Sequence, residues 1–197
     1  MNGVGEYRNQ RIVVAITGAT GVIYGIRLLQ VLRECSIESH LIISDTAKNN
    51  ILTETTYTIE AVEGLADKVY QETNLAASLS SGSFLTEGMV VIPCTIKTLS
   101  GIAHSYNNNL IVRAADVTLK ERRKLVLVVR ETPLHIGHLR LMLSVGETGA
   151  TLLPPIPAFY HNPKGIEDLI DQTIGKILDL FHIEHSLFSR WQGHCHS

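Results

Sequence analysis

The chain has 197 residues, 45% of them hydrophobic and 18% charged, and its formal net charge is −2. This length favours one domain whose core needs no disulfide or metal. The balanced charge argues against a nucleic-acid-binding surface, and no apolar run approaches the ~20 residues of a membrane span.

Strand and helix patterns alternate along the chain. Short β-branched runs predict strands over residues 11–16, 39–43, 89–92, 125–129 and 151–153. Helical spacing follows over residues 21–32, 45–53 and 96–106, from Thr132-Pro133 to about Val145, and after Asn162-Pro163. Strands flanked by helices indicate an α/β fold with a mostly parallel sheet covered on both faces.

The least regular part of this pattern is residues 55–86, and within it residues 78–83 (SLSSGS) are interpreted as a flexible polar loop able to cover a site. We predict a flexible segment over residues 1–10, a single domain over 11–191 and a disordered tail over 192–197. The three cysteines Cys35, Cys94 and Cys195 lack CxxC spacing, which indicates reduced thiols and a cytoplasmic protein.

Small and hydroxyl residues follow two of the predicted strands. Thr17-Gly18-Ala19-Thr20-Gly21 comes after the first strand, where small residues admit a ligand and the N–H groups of the next helix favour anions. On its own this turn is weak evidence for a nucleotide or flavin. Pro93-Cys94-Thr95-Ile96-Lys97-Thr98 repeats the arrangement, so a polar crevice is expected between the two turns. Cys94 has no histidine base beside it, so we interpret it as a buried structural thiol.

Six of the 17 lysines and arginines lie between residues 113 and 131. Arg130-Glu131 ends a predicted strand, where ligands bind in α/β sheets, and suggests anion binding coupled to proton transfer. Arg122, Arg123 and Lys124 fit a solvated helix instead. Further on, Tyr160 and Lys176 could hold a second phosphate, although without further information a solvated helix lysine is the favoured interpretation of Lys176.

The chain resembles the UbiX-type flavin prenyltransferases from about Arg11 to Gly193. The resemblance rests on several ordered motifs: TGATGVIYGIRLL (17–29), SSGSF (80–84), PCTIKTLSGIAHSY (93–106), RAADVTLKERRKLVLVVRETPLHIGHLRLM (113–142), PPIPAFY (154–160) and RWQG (190–193).

This resemblance implies a Rossmann- or flavodoxin-like three-layer sandwich that assembles into a homo-oligomer, a dodecamer in the family. It implies transfer of a dimethylallyl group from dimethylallyl monophosphate to N5 and then C6 of reduced FMN, without a metal. The product, prenylated FMN, serves UbiD-type decarboxylases.

The resemblance also assigns residues. Those expected to contact FMN are Gly18, Ala19, Thr20, Ser44, Thr95, Ile96, Lys97, Thr98 and Arg130. Those expected to contact dimethylallyl phosphate are Tyr160 and Lys176; many members have arginine at the latter position, and lysine lacks its bidentate fork. Arg113, Lys120, Glu54 and Glu131 match the family's active-site residues.

Electrostatics explains why the resemblance assigns so many cationic residues to the site. The departing phosphate needs positive charge and hydrogen-bond donors, and without a metal the protein must supply them. Glu131 is the expected proton-transfer group, and Glu54 a supporting or relay group. The SSGSF segment and Trp191 are expected to help keep water from the cation-like prenyl group.

Three alternatives remain open at this point. One is a flavin-dependent decarboxylase of cysteinyl substrates, although its PxMNxxMW-type segment is absent. Another is direct decarboxylation of an aromatic acid. The third is a non-catalytic FMN carrier, which gives no reason for so many cations near Glu131.

Overall fold

The structure is a computed structural model that describes residues 10–191 and 193. Its strands are β1 (Arg11–Ile16), β2 (Glu38–Ile43), β3 (Lys68–Gln71), β4 (Gly88–Cys94), β5 (Lys124–Val129) and β6 (Thr151–Leu152). Its helices are α1 (Val22–Glu34), α2 (Asp45–Glu54), α3 (Ile59–Glu63), α4 (Ile96–Ala103), α5 (Leu110–Lys120), α6 (Ile136–Glu147) and α7 (Ile166–Leu180). A short 3-10 turn covers Ser78–Ser80.

The strands form one parallel sheet in the order β3-β2-β1-β4-β5-β6. This is the Rossmann order, in which the direction of winding reverses between β1 and β4. The predicted α/β sandwich with a parallel sheet is therefore confirmed. The reversal opens a crevice at the carboxyl ends of β1 and β4, where the two hydroxyl-rich turns lie.

The core consists of two apolar layers, one on each face of the sheet. Along β1, Ile12, Val14 and Ile16 face the layer built with α1 and α7, whereas Val13 and Ala15 face the layer built with α4 and α5. Both faces of the central strands are thus buried, as a sheet with helices on both sides requires.

Residues 55–86 contain two elements that the sequence pattern misses, α3 and the edge strand β3. β3 pairs only with β2, and its Lys68 and Val69 are exposed. An edge strand with an exposed face has no buried apolar run by which a sequence pattern could reveal it.

Several predicted boundaries are wrong by a few residues. β4 continues through Pro93 to Cys94, and a register shift between Val91 and Cys94 accommodates the proline's missing N–H. The helix after β4 ends at Ala103. α6 begins at Ile136, because the ring of His135 accepts a hydrogen bond from the Gly137 N–H at 3.0 Å.

α7 likewise begins at Ile166, behind Gly165, and not at Asn162-Pro163. The predicted flexible start and disordered tail lie, apart from Gln10 and Gly193, outside the described residues. Among the residues that are described, no helix is long and apolar enough to cross a membrane.

Candidate functional site

Thr17 ties the two turns of the crevice together. Its buried hydroxyl donates to the Pro93 carbonyl at 2.7 Å and accepts from the Thr95 N–H at 2.9 Å. The turns after β1 and β4 are therefore held side by side, at the place where the crevice is predicted. Thr17 belongs to the predicted turn, where its hydroxyl is an expected donor, but it is not among the residues assigned to FMN.

Gly18 and Gly21 shape the first wall. A Cβ added to Gly18 would lie 2.4 Å from Thr46 Cγ2, and Gly21 has a φ of +93°, which favours glycine. Ala19 lies between them, and the Thr20 side chain is exposed at the turn. The turn can therefore pack closer to α2 than any larger residue at position 18 would allow.

Glu54 occupies the N-terminus of α1. Its Oε2 accepts from the Gly21 N–H at 2.8 Å and from the Val22 N–H at 3.4 Å. A carboxylate from α2 thus accepts from these two N–H groups, which agrees with the expectation that this helix start favours anions. The contact places Glu54 beside the Gly18 turn, close to the expected flavin position.

Ser44 and Thr95 each cap a helix at this edge. Ser44 Oγ accepts from the Ala47 N–H at 3.2 Å, and Thr95 Oγ1 accepts from the Thr98 N–H at 3.1 Å. The Thr95 hydroxyl also donates to Thr98 Oγ1 at 3.0 Å. These hydroxyls are held by helix capping before any ligand binds. Ile96 and Lys97 follow in the first turn of α4, with the Lys97 side chain exposed.

Cys94 lies just before Thr95, at the end of β4, and is completely buried. Burial raises the pKa of its thiol to about 12, so the thiolate needed for nucleophilic attack does not form near neutral pH. The interpretation of Cys94 as a structural thiol is confirmed.

Arg130 and Glu131 lie at the end of β5, next to the turn that follows β4. The Arg130 N–H donates to the Cys94 carbonyl at 3.1 Å, which ties this residue to β4. Its half-buried guanidinium makes no hydrogen bond or ion pair with other described residues. The exposed Glu131 carboxylate accepts from the Thr132 N–H at 3.1 Å. An unpaired cation and a carboxylate are thus adjacent at the crevice.

Lys120 lies near the amino ends of the strands, opposite the carboxyl ends that carry Arg130 and Glu131. α5 starts at the carboxyl edge, where the Leu110 N–H donates to the Glu72 carbonyl at 2.7 Å, and it runs for 11 residues to Lys120. At 1.5 Å per residue this is about 16 Å, so one chain does not bring Lys120 to Glu131. Lys120 pairs instead with Glu121.

Arg113 points toward the segment that precedes β4. Its guanidinium donates to the Ser80 carbonyl at 3.1 and 3.3 Å and to Asp116 at 3.1 Å. Arg123 donates to the carbonyls of Gly82 and Phe84 at 2.5 and 2.7 Å, so its assignment to a solvated surface is wrong. The loop predicted as flexible is instead held by two arginines.

Tyr160 and Lys176 belong to a third region, around Asp179 near the C-terminal end of α7. Lys176 Nζ lies 3.9 Å from Asp179, and Arg190 forms a bidentate pair with the same carboxylate at 2.6 and 3.1 Å. Arg190 is the main reason that the pKa of Asp179 is lowered. The Tyr160 ring meets Trp191 edge-on at 6.4 Å. Neither Tyr160 nor Lys176 bonds to the carboxyl-edge residues within the described part of the chain.

No group of three or more His, Cys, Asp or Glu side chains among the described residues could hold a metal ion.

The predicted site residues occupy three regions of the structure. The first is the carboxyl-edge crevice, the second is α5 with residues 78–84, and the third is the Asp179 region.

Comparisons with known proteins agree with this architecture. The family model described as Flavoprotein matches residues 3–178. A flavin prenyltransferase UbiX of Salmonella typhimurium is 56% identical over 187 residues, which cover 93% of this chain and 99% of the relative.

Two solved structures are also similar. AnUbiX in complex with FMN and dimethylallyl pyrophosphate has a TM-score of 0.93 and 51% identity, covering 95% of this chain and 100% of its own. A dodecameric FMN-dependent UbiX-like decarboxylase of Escherichia coli O157:H7 has a TM-score of 0.91 and 48% identity, covering 93% and 100%. The chain belongs to the UbiX family of flavoproteins, whose named members include flavin prenyltransferases.

Proposed function

We propose that this protein is a flavin prenyltransferase that joins the dimethylallyl group of dimethylallyl monophosphate to N5 and C6 of reduced FMN. The observation that carries the proposal is the group of polar residues at the carboxyl ends of β1, β4 and β5, where Thr17 joins the Gly18 turn to β4 and the Arg130 N–H joins Arg130-Glu131 to β4. Support comes from the 56% identity to a protein named flavin prenyltransferase.

The crevice residues fit FMN. Gly18 lets this turn pack closely against Thr46, where a Cβ would clash, and so fixes the turn beside the expected flavin position. Thr20 and Lys97 present exposed polar groups, and the Arg130 guanidinium is unpaired among described residues. We assign FMN contacts to these residues and to Ala19, Ser44, Thr95, Ile96 and Thr98. Bound reduced flavin supplies the nucleophilic N5 and C6 atoms.

Glu131 is the group we assign to proton transfer. The reaction breaks the allylic C–O bond and releases phosphate, and a proton must leave flavin C6 when the second carbon bond forms. Glu131 is exposed at the crevice beside Arg130 and can exchange a proton with the departing phosphate. Glu54, which caps α1 at the same turn, orients this wall and supports the relay.

The cationic and donor groups assigned to the phosphate lie in different parts of one chain. Arg113 and Lys120 lie along α5, and Tyr160 and Lys176 lie near Asp179. We infer that neighbouring copies bring these groups to each crevice, where they stabilise the leaving phosphate in the role a metal ion plays elsewhere. Trp191, packed against Tyr160, would help to exclude water.

An exposed apolar surface on α6 supports such an assembly. Leu134, Ile136, Leu139 and Leu143 are 42%, 63%, 47% and 63% exposed, respectively. A helix with this much uncovered apolar area is typical of an interface. The E. coli O157:H7 structure is dodecameric, and we propose the same homo-oligomer here.

The product, prenylated FMN, would pass to a UbiD-type decarboxylase. We place the reaction in the cytoplasm, because Cys35 and Cys94 are free thiols, as expected in a reducing compartment.

An anaerobic incubation tests the proposal. Purified protein, reduced FMN and dimethylallyl monophosphate are mixed without metal, and the released flavin is weighed by mass spectrometry. We expect a flavin heavier by one C5H8 unit. The same assay with dimethylallyl pyrophosphate, the ligand of the AnUbiX structure, shows which phosphate is preferred.

Direct decarboxylation is the second candidate, favoured by the name of the E. coli O157:H7 structure. Its test is carbon dioxide release from an aromatic acid by the purified protein alone. Release of carbon dioxide together with unmodified flavin would overturn the prenyltransferase proposal.

A further inference from the structure

His40 is a completely buried histidine whose two ring nitrogens both have partners. On β2, its Nε2 lies 2.9 Å from Glu38 Oε1, and its Nδ1 lies 2.9 Å from the Tyr70 hydroxyl. Burial lowers the pKa of His40, so the ring is neutral at neutral pH. A pair with Arg11 keeps Glu38 ionised and able only to accept, so His40 Nε2–H donates to it.

The donor and acceptor roles of the next hydrogen bonds follow from the protonation of His40. With its proton on Nε2, the ring accepts at Nδ1 from the Tyr70 hydroxyl. The Tyr70 oxygen is then left to accept from Ser78 Oγ at 3.1 Å. One ordered chain of hydrogen bonds therefore runs from the amino end of β2 to the start of the segment made of residues 78–84.

The same ring also holds the other end of this segment. Phe84 meets His40 edge-on, with ring centroids 5.1 Å apart, and the Arg11 guanidinium lies 5.3 Å from the Phe84 centroid. His40 thus contacts Phe84 directly and Ser78 through Tyr70.

Between these two ends, the segment supports cations assigned to phosphate binding. The Ser80 carbonyl accepts twice from Arg113. A Cβ added to Gly82 would lie 2.8 Å from Lys120 Nζ, so this lysine rests against the segment as well. A shift of residues 78–84 would move the supports of both Arg113 and Lys120.

We propose that His40 is a positioning residue that, through Tyr70 and Phe84, fixes residues 78–84 and thereby orients Arg113 and Lys120 toward the phosphate of the prenyl donor. The proposal rests on the proposed function. His40 touches no reacting atom, and its effect reaches the reaction through the two cations.

The test removes one oxygen from the chain of hydrogen bonds. Tyr70→Phe keeps the ring next to His40 and deletes the hydroxyl. Tyr57→Phe is the control, since it too deletes a tyrosine hydroxyl with a side-chain partner, Gln30 at 2.9 Å, but one that lies away from the segment. Ser78→Ala deletes the final partner, and Ser78→Thr restores a hydroxyl.

We expect Tyr70→Phe and Ser78→Ala to raise the KM for dimethylallyl monophosphate by about tenfold, as loss of one well-placed hydrogen bond allows. kcat should fall as well, because Arg113 and Lys120 are assigned to the charge that develops on the leaving phosphate. Affinity for FMN should stay unchanged. Tyr57→Phe and Ser78→Thr should behave as wild type.

Amide hydrogen exchange separates this proposal from the proposed function, because it needs no turnover. The Ser81 and Phe84 N–H groups, which donate to the Ser78 and Ser81 carbonyls within the segment, should exchange faster in Tyr70→Phe than in Tyr57→Phe. Equal exchange in both variants would overturn the anchoring. Faster exchange with an unchanged KM would overturn the positioning role. A wild-type protein that prenylates no flavin would overturn the proposed function, while the exchange data would still decide the anchoring.

Discussion

The carboxyl-edge crevice and residues 78–84 are built in different ways. In the crevice, backbone and small hydroxyls are fixed by short-range bonds, such as those from Thr17 to Pro93 and Thr95. Residues 78–84 are held by long side chains, with Arg113 and Arg123 donating to main-chain carbonyls. The first arrangement suits a rigid flavin site complete within one chain. The second presents cations at a surface, where a neighbouring copy can use them.

A mixing experiment is the strongest way to break this comparison. Glu131→Gln and Lys120→Met should each lower prenyl transfer by about 100-fold or more, as loss of a proton-transfer group or a key cation does. If copies share sites, dissociating and reassembling the two variants together should restore measurable turnover. Glu87→Gln, an exposed carboxylate at the amino end of β4, is the neutral control. A mixture as inactive as its parts would argue that each chain works alone.

Gly18→Ala tests the rigidity of the crevice. The new Cβ would lie 2.4 Å from Thr46 Cγ2, and we expect unfolding free energy to fall by about 1–3 kcal/mol together with FMN affinity. Gly146→Ala, where a Cβ meets nothing within 4 Å, should leave both unchanged or slightly improve stability. Urea unfolding and flavin titration measure the two quantities. Equal behaviour of the two variants would contradict close packing at Gly18.

The buried Cys94 predicts a pH dependence of stability. Its thiol has a pKa of about 12 in the folded protein against an ordinary value of 9.0. Below pH 9 it is protonated in both states; above that, only the unfolded chain ionises. The unfolding free energy should therefore fall by about 1.4 kcal/mol per pH unit from pH 9 towards 12.

Urea unfolding at pH 8 to 10.5 measures this slope. Other groups titrate in the same range, so the informative quantity is the difference between wild type and Cys94→Ala. Cys35→Ala, at a less buried cysteine, should keep most of the wild-type slope. A slope that survives in Cys94→Ala would assign the effect to other groups.

Lys176→Arg should produce the smallest change. Arginine offers a bidentate fork to phosphate, and we expect the KM for dimethylallyl monophosphate to fall about twofold to fivefold. Lys164→Arg, an exposed lysine just before α7, is the control. A higher KM would indicate that the nearby Asp179 and Arg190 leave no room for the fork.

Much of the fold followed from local patterns. The buried strands β1, β4 and β5 were predicted because continuous apolar runs leave few alternatives, and the Gly18 turn because it follows one of them. The edge strand β3 and the start of α7 were missed, since exposed pairing and a glycine cap leave little trace in the sequence.

For the candidate site, the residue types at the strand ends were predictable and their partners were not. No periodicity indicated that Glu54 would cap α1 or that Arg123 would bind the Phe84 carbonyl, because both contacts join residues more than 30 positions apart. In the sequence, His40 is one polar residue in a predicted strand. Its link to Ser78 runs through Tyr70 and forms only when β3 pairs with β2.

The sequence by itself determined the alternation of strands and helices, the two polar turns and the charged residues available to them, because these depend on neighbours along the chain. The tertiary structure alone decided that the predicted residues fall into three regions. α5 runs antiparallel to the strands, and its length carries Lys120 away from the edge that holds Glu131. Distances across a sheet depend on strand order and helix direction, and both are properties of the assembled fold.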